Sequence, residues 1–169
     1  ASDDNSDSLS FTLHIRGAGE SEWKLLREKI RERWLSWDST AYPDGHYRLR
    51  VTASDAPSNP PAQALAAAHE GEPFLIDNTP PRIAGLTATR ASAKLTARWK
   101  AADALAVVAR AEYSLDGGDW TLVAPASRVS DSLELDYEVT LDAPPGEHTL
   151  AIRVQDAFDN QSTEKIVVR

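Results

Sequence analysis

Asp44-Gly45-His46-Tyr47-Arg48-Leu49-Arg50-Val51-Thr52-Ala53-Ser54-Asp55 decides the fold, because most of it returns about a hundred residues later as Pro145-Gly146-Glu147-His148-Thr149-Leu150-Ala151-Ile152-Arg153-Val154-Gln155-Asp156. In both stretches a glycine turn opens a run whose alternate side chains are apolar: Tyr47, Leu49, Val51 and Ala53, then Leu150, Ile152 and Val154. Period-two alternation of this kind marks a half-buried β-strand. Both runs close on an Asp with an Asn four residues on, Asp55/Asn59 and Asp156/Asn160. Self-similarity at so long a period means two copies of one domain, since the repeats of a solenoid are much shorter.

Working outward, the chain of 169 residues divides into two units of roughly 80 to 90 residues, each able to close a modest core. The charge is acidic, 18 Lys and Arg against 26 Asp and Glu for a net −8, which repels nucleic acid and anionic membrane. No cysteine is present, so disulfides and thiolate metal sites are excluded. No stretch approaches the ~18 continuous apolar residues of a membrane-spanning helix, and no signal peptide is recognisable, so membrane insertion is not expected. The absence of methionine leads to the expectation that further polypeptide precedes Ala1.

In the first unit Leu9, Phe11, Leu13 and Ile15 alternate with polar residues and read as a strand. From Trp23 to Trp37 the apolar residues fall three or four apart, as on a helical face. The second copy argues against a helix, because its matching Trp120-Thr121-Leu122-Val123 follows the hairpin signal Asp116-Gly117-Gly118. The expectation is therefore strand over Trp23–Leu26, a charged loop around Lys29, and strand again over Arg33–Trp37. Three prolines in Ala56–Pro61 cannot continue a paired strand. Ala62 to His69 reads as a short helix or a loop excursion, and Phe74-Leu75-Ile76 leads to a joint at Asp77–Pro81.

The second unit shows seven runs of strand character: Ile83–Thr89, Leu95–Trp99, Val107–Leu115, Trp120–Val123, Leu133–Leu141, Leu150–Val154 and Ile166–Val168. Seven short strands with turn signals between them imply an antiparallel sandwich. Buried positions are expected at Trp99, Tyr113, Leu135, Tyr137, Leu150 and Ile152, and in the first unit at Phe11, Leu13, Leu49 and Val51.

The pattern Trp99-x-Ala101-x-Asp103, the Trp120 hairpin, the Gly146-to-Val154 strand and the closing Asp156/Asn160 resemble immunoglobulin-like, fibronectin type III-like domains of secreted bacterial proteins. Pro73 to Pro81 is similar to the joint that links such domains in tandem. The resemblance implies two all-β antiparallel sandwich domains, 1–79 and 80–169, in a secreted, periplasmic or cell-surface protein. There such modules serve as non-catalytic spacers or platforms for other domains or chains. It also implies a tyrosine-corner hydrogen bond at Tyr47, a position that His148 fills in the second copy.

The candidate chemistry is sparse. His14, His46, His69 and His148 lie in separate segments at no metal-ligand spacing, no nucleophile elbow or phosphate loop is present, and neither an active site nor a cofactor is expected. Asp3, Asp4, Asp7, Asp156 and Asp159, together with Asp77, Asn78 and Asn160, supply the hard oxygen ligands that calcium takes. Against that, no EF-hand alternation occurs, and Asp and Asn are ordinary turn residues. Trp34, Trp23 and Trp120 are the candidate surface aromatics, which keeps polysaccharide binding as the alternative to a protein partner.

Laid side by side, Ala1-Ser2-Asp3 aligns with Ala101-Ala102-Asp103, so nothing in the first unit matches Ile83 through Lys100. The first unit is accordingly expected to own about five of seven strands. The gap is expected to be filled by a neighbouring chain or by the segment Ala62–His69, or to remain an open groove.

Overall fold

The computed structural model describes residues 7–169. The chain is all β and divides between Ile76 and Asp77 into two compact units. Asp3 and Asp4 lie outside the described residues.

The first unit is one antiparallel sheet of five strands, β1 (Ser10–Gly17), β2 (Lys24–Ile30), β3 (Gly45–Ser54), β4 (Ala66–Glu70) and β5 (Phe74–Ile76). Their order is β2-β1-β3-β4, with β5 also paired to β3. The pairs Leu13↔Val51 and Ile15↔Leu49 put the apolar sets of β1 and β3 on one face. Ile15, Tyr47 and Ile76 are buried there, and Trp37, Tyr42, Tyr47 and Phe74 follow one another in ring contacts at 5.1, 5.9 and 6.3 Å.

Four expectations for this unit need correction. The strand beginning at Lys24 runs through Lys29 to Ile30, and Lys29 adopts a left-handed φ of 57° inside it. The register against β1 slips at that end, so the residue read as a loop is a bulge in an edge strand. Arg33–Trp37 joins no strand, and no helix forms. Ala66–Glu70 is a strand on the far edge of β3, exposed at every residue, where backbone pairing to Arg50–Ser54 overrides the helix preference of its alanines. Phe11, Leu49 and Val51 are only half-buried, because among the described residues no second sheet of this unit lies over them.

The second unit has seven strands in two sheets. One contains β6 (Arg82–Ala91), β7 (Lys94–Ala102) and β10 (Glu134–Asp142) in the order β10-β7-β6. The other contains β8 (Val108–Leu115), β9 (Thr121–Leu122), β11 (His148–Asp156) and β12 (Gln161–Val168) in the order β12-β11-β8-β9. The fourth strand shares a sheet with the third, sixth and seventh, and the seven strands make the antiparallel sandwich expected of 80–169.

Trp99 faces Tyr137 across the β7–β10 ladder, and their rings stack 4° from parallel at 5.2 Å. Leu95, Ala97, Val108, Leu150, Ile152 and Val154 close the core from both sheets. Tyr113 is half-buried at its margin rather than enclosed. A register shift at Asp156 puts Val108 in the core in place of Ala109, which is exposed. On the outer face of β10 the acidic row is matched by β7: Arg98 grips Glu138 at 2.9 and 3.1 Å, and Lys100 and Lys94 reach Glu134 and Asp142 at 2.6 Å.

The two units share one four-strand pattern. The order β2-β1-β3-β4 matches β9-β8-β11-β12, and β3 and β11 are the repeated stretch itself. In the second unit the apolar face of this pattern is covered by β6, β7 and β10. The chain between β2 and β3, where a counterpart of β10 would fall, forms no strand.

Candidate functional site

The uncovered face of the first sheet forms an apolar trough of about 390 Å³ lined by Phe11, Leu13, Ile30, Trp34, Trp37, Leu49 and Val51. The alternation of β1 and β3 supplies its floor, and the irregular segment after β2 supplies the two tryptophans on its rim. Trp34 is 75% exposed, an unusual state for the largest apolar side chain. The free edge of β2 is less inviting, since Lys24, Arg27, Glu28 and Lys29 charge it and the bulge at Lys29 bends it.

The other two candidate tryptophans are engaged by arginines. The guanidiniums of Arg16 and Arg50 lie 4.5 and 4.7 Å from the centre of the Trp23 ring. Arg153 lies 4.1 Å over Trp120, and its nitrogens also donate to Glu112 at 2.9 and 2.5 Å. Burial pushes the Glu112 carboxyl up, but the hydrogen bonds from Arg153 and Arg110 outweigh it and hold the group below its ordinary value. Trp23 and Trp120 are therefore cation–π platforms of the outer sheet faces. Neither lies in the trough with Trp34.

The carboxylates sort differently from the sequence expectation. Asp7 accepts from Asn59 Nδ2 at 2.9 Å, and Asp159 is bonded by Gln155. Asp156, the last residue of β11, instead meets Asp77 and Asp103, so that one carboxylate oxygen of each lies within 4.8 Å of the others. Asp77 precedes β6, and Asp103 follows the end of β7. Asp156 accepts from Phe158 N at 2.7 Å and from Asn160 N and Nδ2 at 2.9 Å. Asn160 Nδ2 also donates to the Asp77 carbonyl at 3.0 Å, and Asp77 Oδ1 accepts from Thr79 N at 3.2 Å. Asp103 Oδ1 accepts from Leu105 N and Ala106 N at 2.8 and 2.9 Å. Sequence reading had placed Asp77 and Asp156 among calcium-type oxygen donors but had seen Asp103 only as the end of a structural motif. The three are 26 and 53 residues apart, and only the strand order brings them together.

No family model matches the sequence, and no curated protein does. Among solved structures, the FN1–FN3 domains of chicken CNTN1 align at 14% identity with a TM-score of 0.44, over 97% of this chain and 57% of that one. The fibronectin(III)-like modules of Clostridium thermocellum CbhA align at 15% identity with a TM-score of 0.43, over 92% of this chain and 75% of that one. The chain thus spans a little over half the length of the first of these and three quarters of the second.

Proposed function

We propose that this chain is a non-catalytic structural and protein-interaction segment of a larger extracytoplasmic bacterial protein, and that the open face of its first sheet is covered by β-strands from elsewhere in the same polypeptide. The observation that carries this reading is the apolar trough. The same four-strand pattern in the second unit buries Val108, Leu150, Ile152 and Val154 beneath a facing sheet, whereas in the first it leaves Phe11, Leu49 and Val51 half in water and Trp34 mostly so. Apolar area left exposed costs about 25 cal/mol per Å², and contiguous patches of it mark interaction surfaces.

The lining favours protein over sugar. Eight of the ten residues around the trough are aliphatic or aromatic, and a glycan needs directed polar partners beside its stacking ring. The test is a photo-crosslinking amino acid at position 34 in the full-length protein. Crosslinks to a β-rich segment of the same polypeptide support the proposal. Crosslinks to a second copy, or no crosslink together with a tryptophan emission shift in the unsubstituted protein on adding polysaccharide, defeat it.

A further inference from the structure

We infer that the outer face of the first sheet binds an extended acidic segment of a partner protein through Arg16, Arg48 and Arg50. In the register of β1 and β3, Arg16 stands opposite Arg48, and Arg50 follows two residues along β3 on the same face. All three alternate with the trough residues and so point away from the trough. Arginines are charged at any physiological pH, and like charges directly opposite on neighbouring strands are destabilising. No carboxylate offsets them here. Among the described residues none of the three arginines takes part in an ion pair, although Glu70 stands opposite Arg50 on β4. Arg48 donates only to a carbonyl, that of Gly71, at 3.0 Å.

The second unit handles its outer-face cations differently. On β7 and β10, Lys94 stands opposite Asp142, Arg98 opposite Glu138 and Lys100 opposite Asp136. The places equivalent to Arg16, Arg48 and Arg50 hold Asp116, Thr149 and Ala151, with no like charges opposed. Trp120 carries the guanidinium of Arg153, which is ion-paired with Glu112. Trp23 carries those of Arg16 and Arg50, which have no carboxylate partner. Both units thus build a tryptophan platform, and only the first leaves its guanidiniums uncompensated.

Charge complementarity calls for an anionic ligand, and the arginine fork binds carboxylates through two parallel hydrogen bonds. Two features favour a peptide over an acidic sugar. Side chains on one face of an extended chain recur about every 7 Å, which is also the spacing of Arg48 and Arg50 along β3. Carboxylates at alternate residues of an extended segment therefore meet successive arginines in step. The guanidiniums of Arg16 and Arg50 lie 4.5 and 4.7 Å from the centre of the Trp23 ring, so they occupy the ring on which a sugar would stack. The same stacking fixes both side chains before a ligand arrives and lowers the entropy lost on binding. A hollow of about 310 Å³ beside Arg16, Arg48 and His46 gives a carboxylate side chain room to enter. The carboxylate that already lines it, Glu20, is engaged by Lys24 and by Gly17 N at 3.0 Å. This face is the reverse of the trough and does not depend on what covers the trough.

The experiment is a calorimetric titration of the 169-residue chain at low ionic strength with a short end-capped peptide of alternating Glu and Thr. It is repeated with the Gln/Thr counterpart and with an oligogalacturonate of equal charge. One equivalent of the Glu/Thr peptide is expected to bind, more weakly as salt is raised, and the Gln/Thr peptide is expected not to bind. Arg48→Gln and Arg50→Gln should each weaken binding by about tenfold, the loss of one charge-assisted pair. Arg98→Gln, on the outer face of the second unit, should leave binding unchanged. Arg48→Gln also relieves the repulsion from Arg16, so the first unit should unfold at the parent temperature or a higher one, which separates the ligand role from the fold. No saturable binding of the Glu/Thr peptide, binding that both arginine variants leave intact, or tighter binding of the oligogalacturonate than of the peptide overturns the proposal.

Discussion

His148 occupies in the second unit the place that Tyr47 holds in the first, and both reach the carbonyl of the proline four residues earlier. Tyr47 Oη donates to Pro43 O at 2.7 Å, and His148 Nε2 stands 2.8 Å from Pro144 O. The resemblance implies the corner hydrogen bond for the tyrosine only, and a histidine stands in its place here. The imidazole spans the same distance and gains a further partner, Asp116 Oδ2, at 2.6 Å from Nδ1.

That pair of contacts fixes the charge of His148. A neutral imidazole has a single N–H, and here both ring nitrogens face acceptors, so the imidazolium satisfies them together. The hydrogen bond to Asp116, then that to Pro144, raises the His148 pKa above its ordinary 6.5, and the bonds from His148 and then Thr149 N lower Asp116 below 3.8. For the raised histidine, stability is fully present below the unfolded pKa and is lost as pH rises through the folded one. For the lowered aspartate, it is present above the unfolded pKa and is lost as pH falls through the folded one. Urea midpoints of the second unit should therefore decline as pH rises through the ordinary histidine range and beyond it, and Asp116→Asn should flatten that decline. A proton NMR titration of His148 at or below the ordinary value would contradict this.

At the first corner no charge is involved. Tyr47→Phe keeps the ring within the chain of aromatic contacts and removes the donor to Pro43 O, so the first unit should lose about 0.5 to 1.5 kcal/mol. Chemical denaturation followed by Trp37 emission would measure it, with the denaturant dependence unchanged.

Lys29 gives a third test. Its φ of 57° costs a residue with a Cβ something that glycine does not pay, and its side chain is exposed. Lys29→Gly should leave the first unit equally stable or stabilise it by up to about 1 kcal/mol, whereas the β-branched Lys29→Val should destabilise it. If valine were tolerated and glycine were not, β2 would run without its bulge in solution.

These residues also show what could be read in advance. β3 and β11 were legible because each alternates strictly and each repeats the other, so register and burial reinforced one another. The segment after β2 was not: Trp34 and Trp37 sit at helical spacing, the repeat argued for a strand, and the chain forms neither. β4 was hidden because Ala66, Ala67 and Ala68 carry little strand preference, and only the free edge of β3 makes them extended. Of the candidate site, Asp156 and Trp34 could be picked out by residue type and local context. The company of Asp103 and Asp77 could not, because strand order places them and nothing in the local spacing does.

Leu49 and Leu150 test the open face directly, since they hold the same position in the two repeats. Leu150 is 0% exposed beneath the facing sheet, and Leu150→Ala should cost about 2 to 5 kcal/mol through lost transfer energy and the cavity left behind. Leu49 lies on the floor of the trough, already half in water, so Leu49→Ala forfeits only part of the burial and leaves no closed cavity. In the 169-residue chain it should cost less than about 1.5 kcal/mol, read from separate unfolding of the two units. If strands of a longer polypeptide cover the trough as proposed, the cost of Leu49→Ala in that polypeptide should rise toward that of Leu150→Ala. Equal costs already in the 169-residue chain, independent of protein concentration, would mean that the face is covered from within and that no further strands are needed.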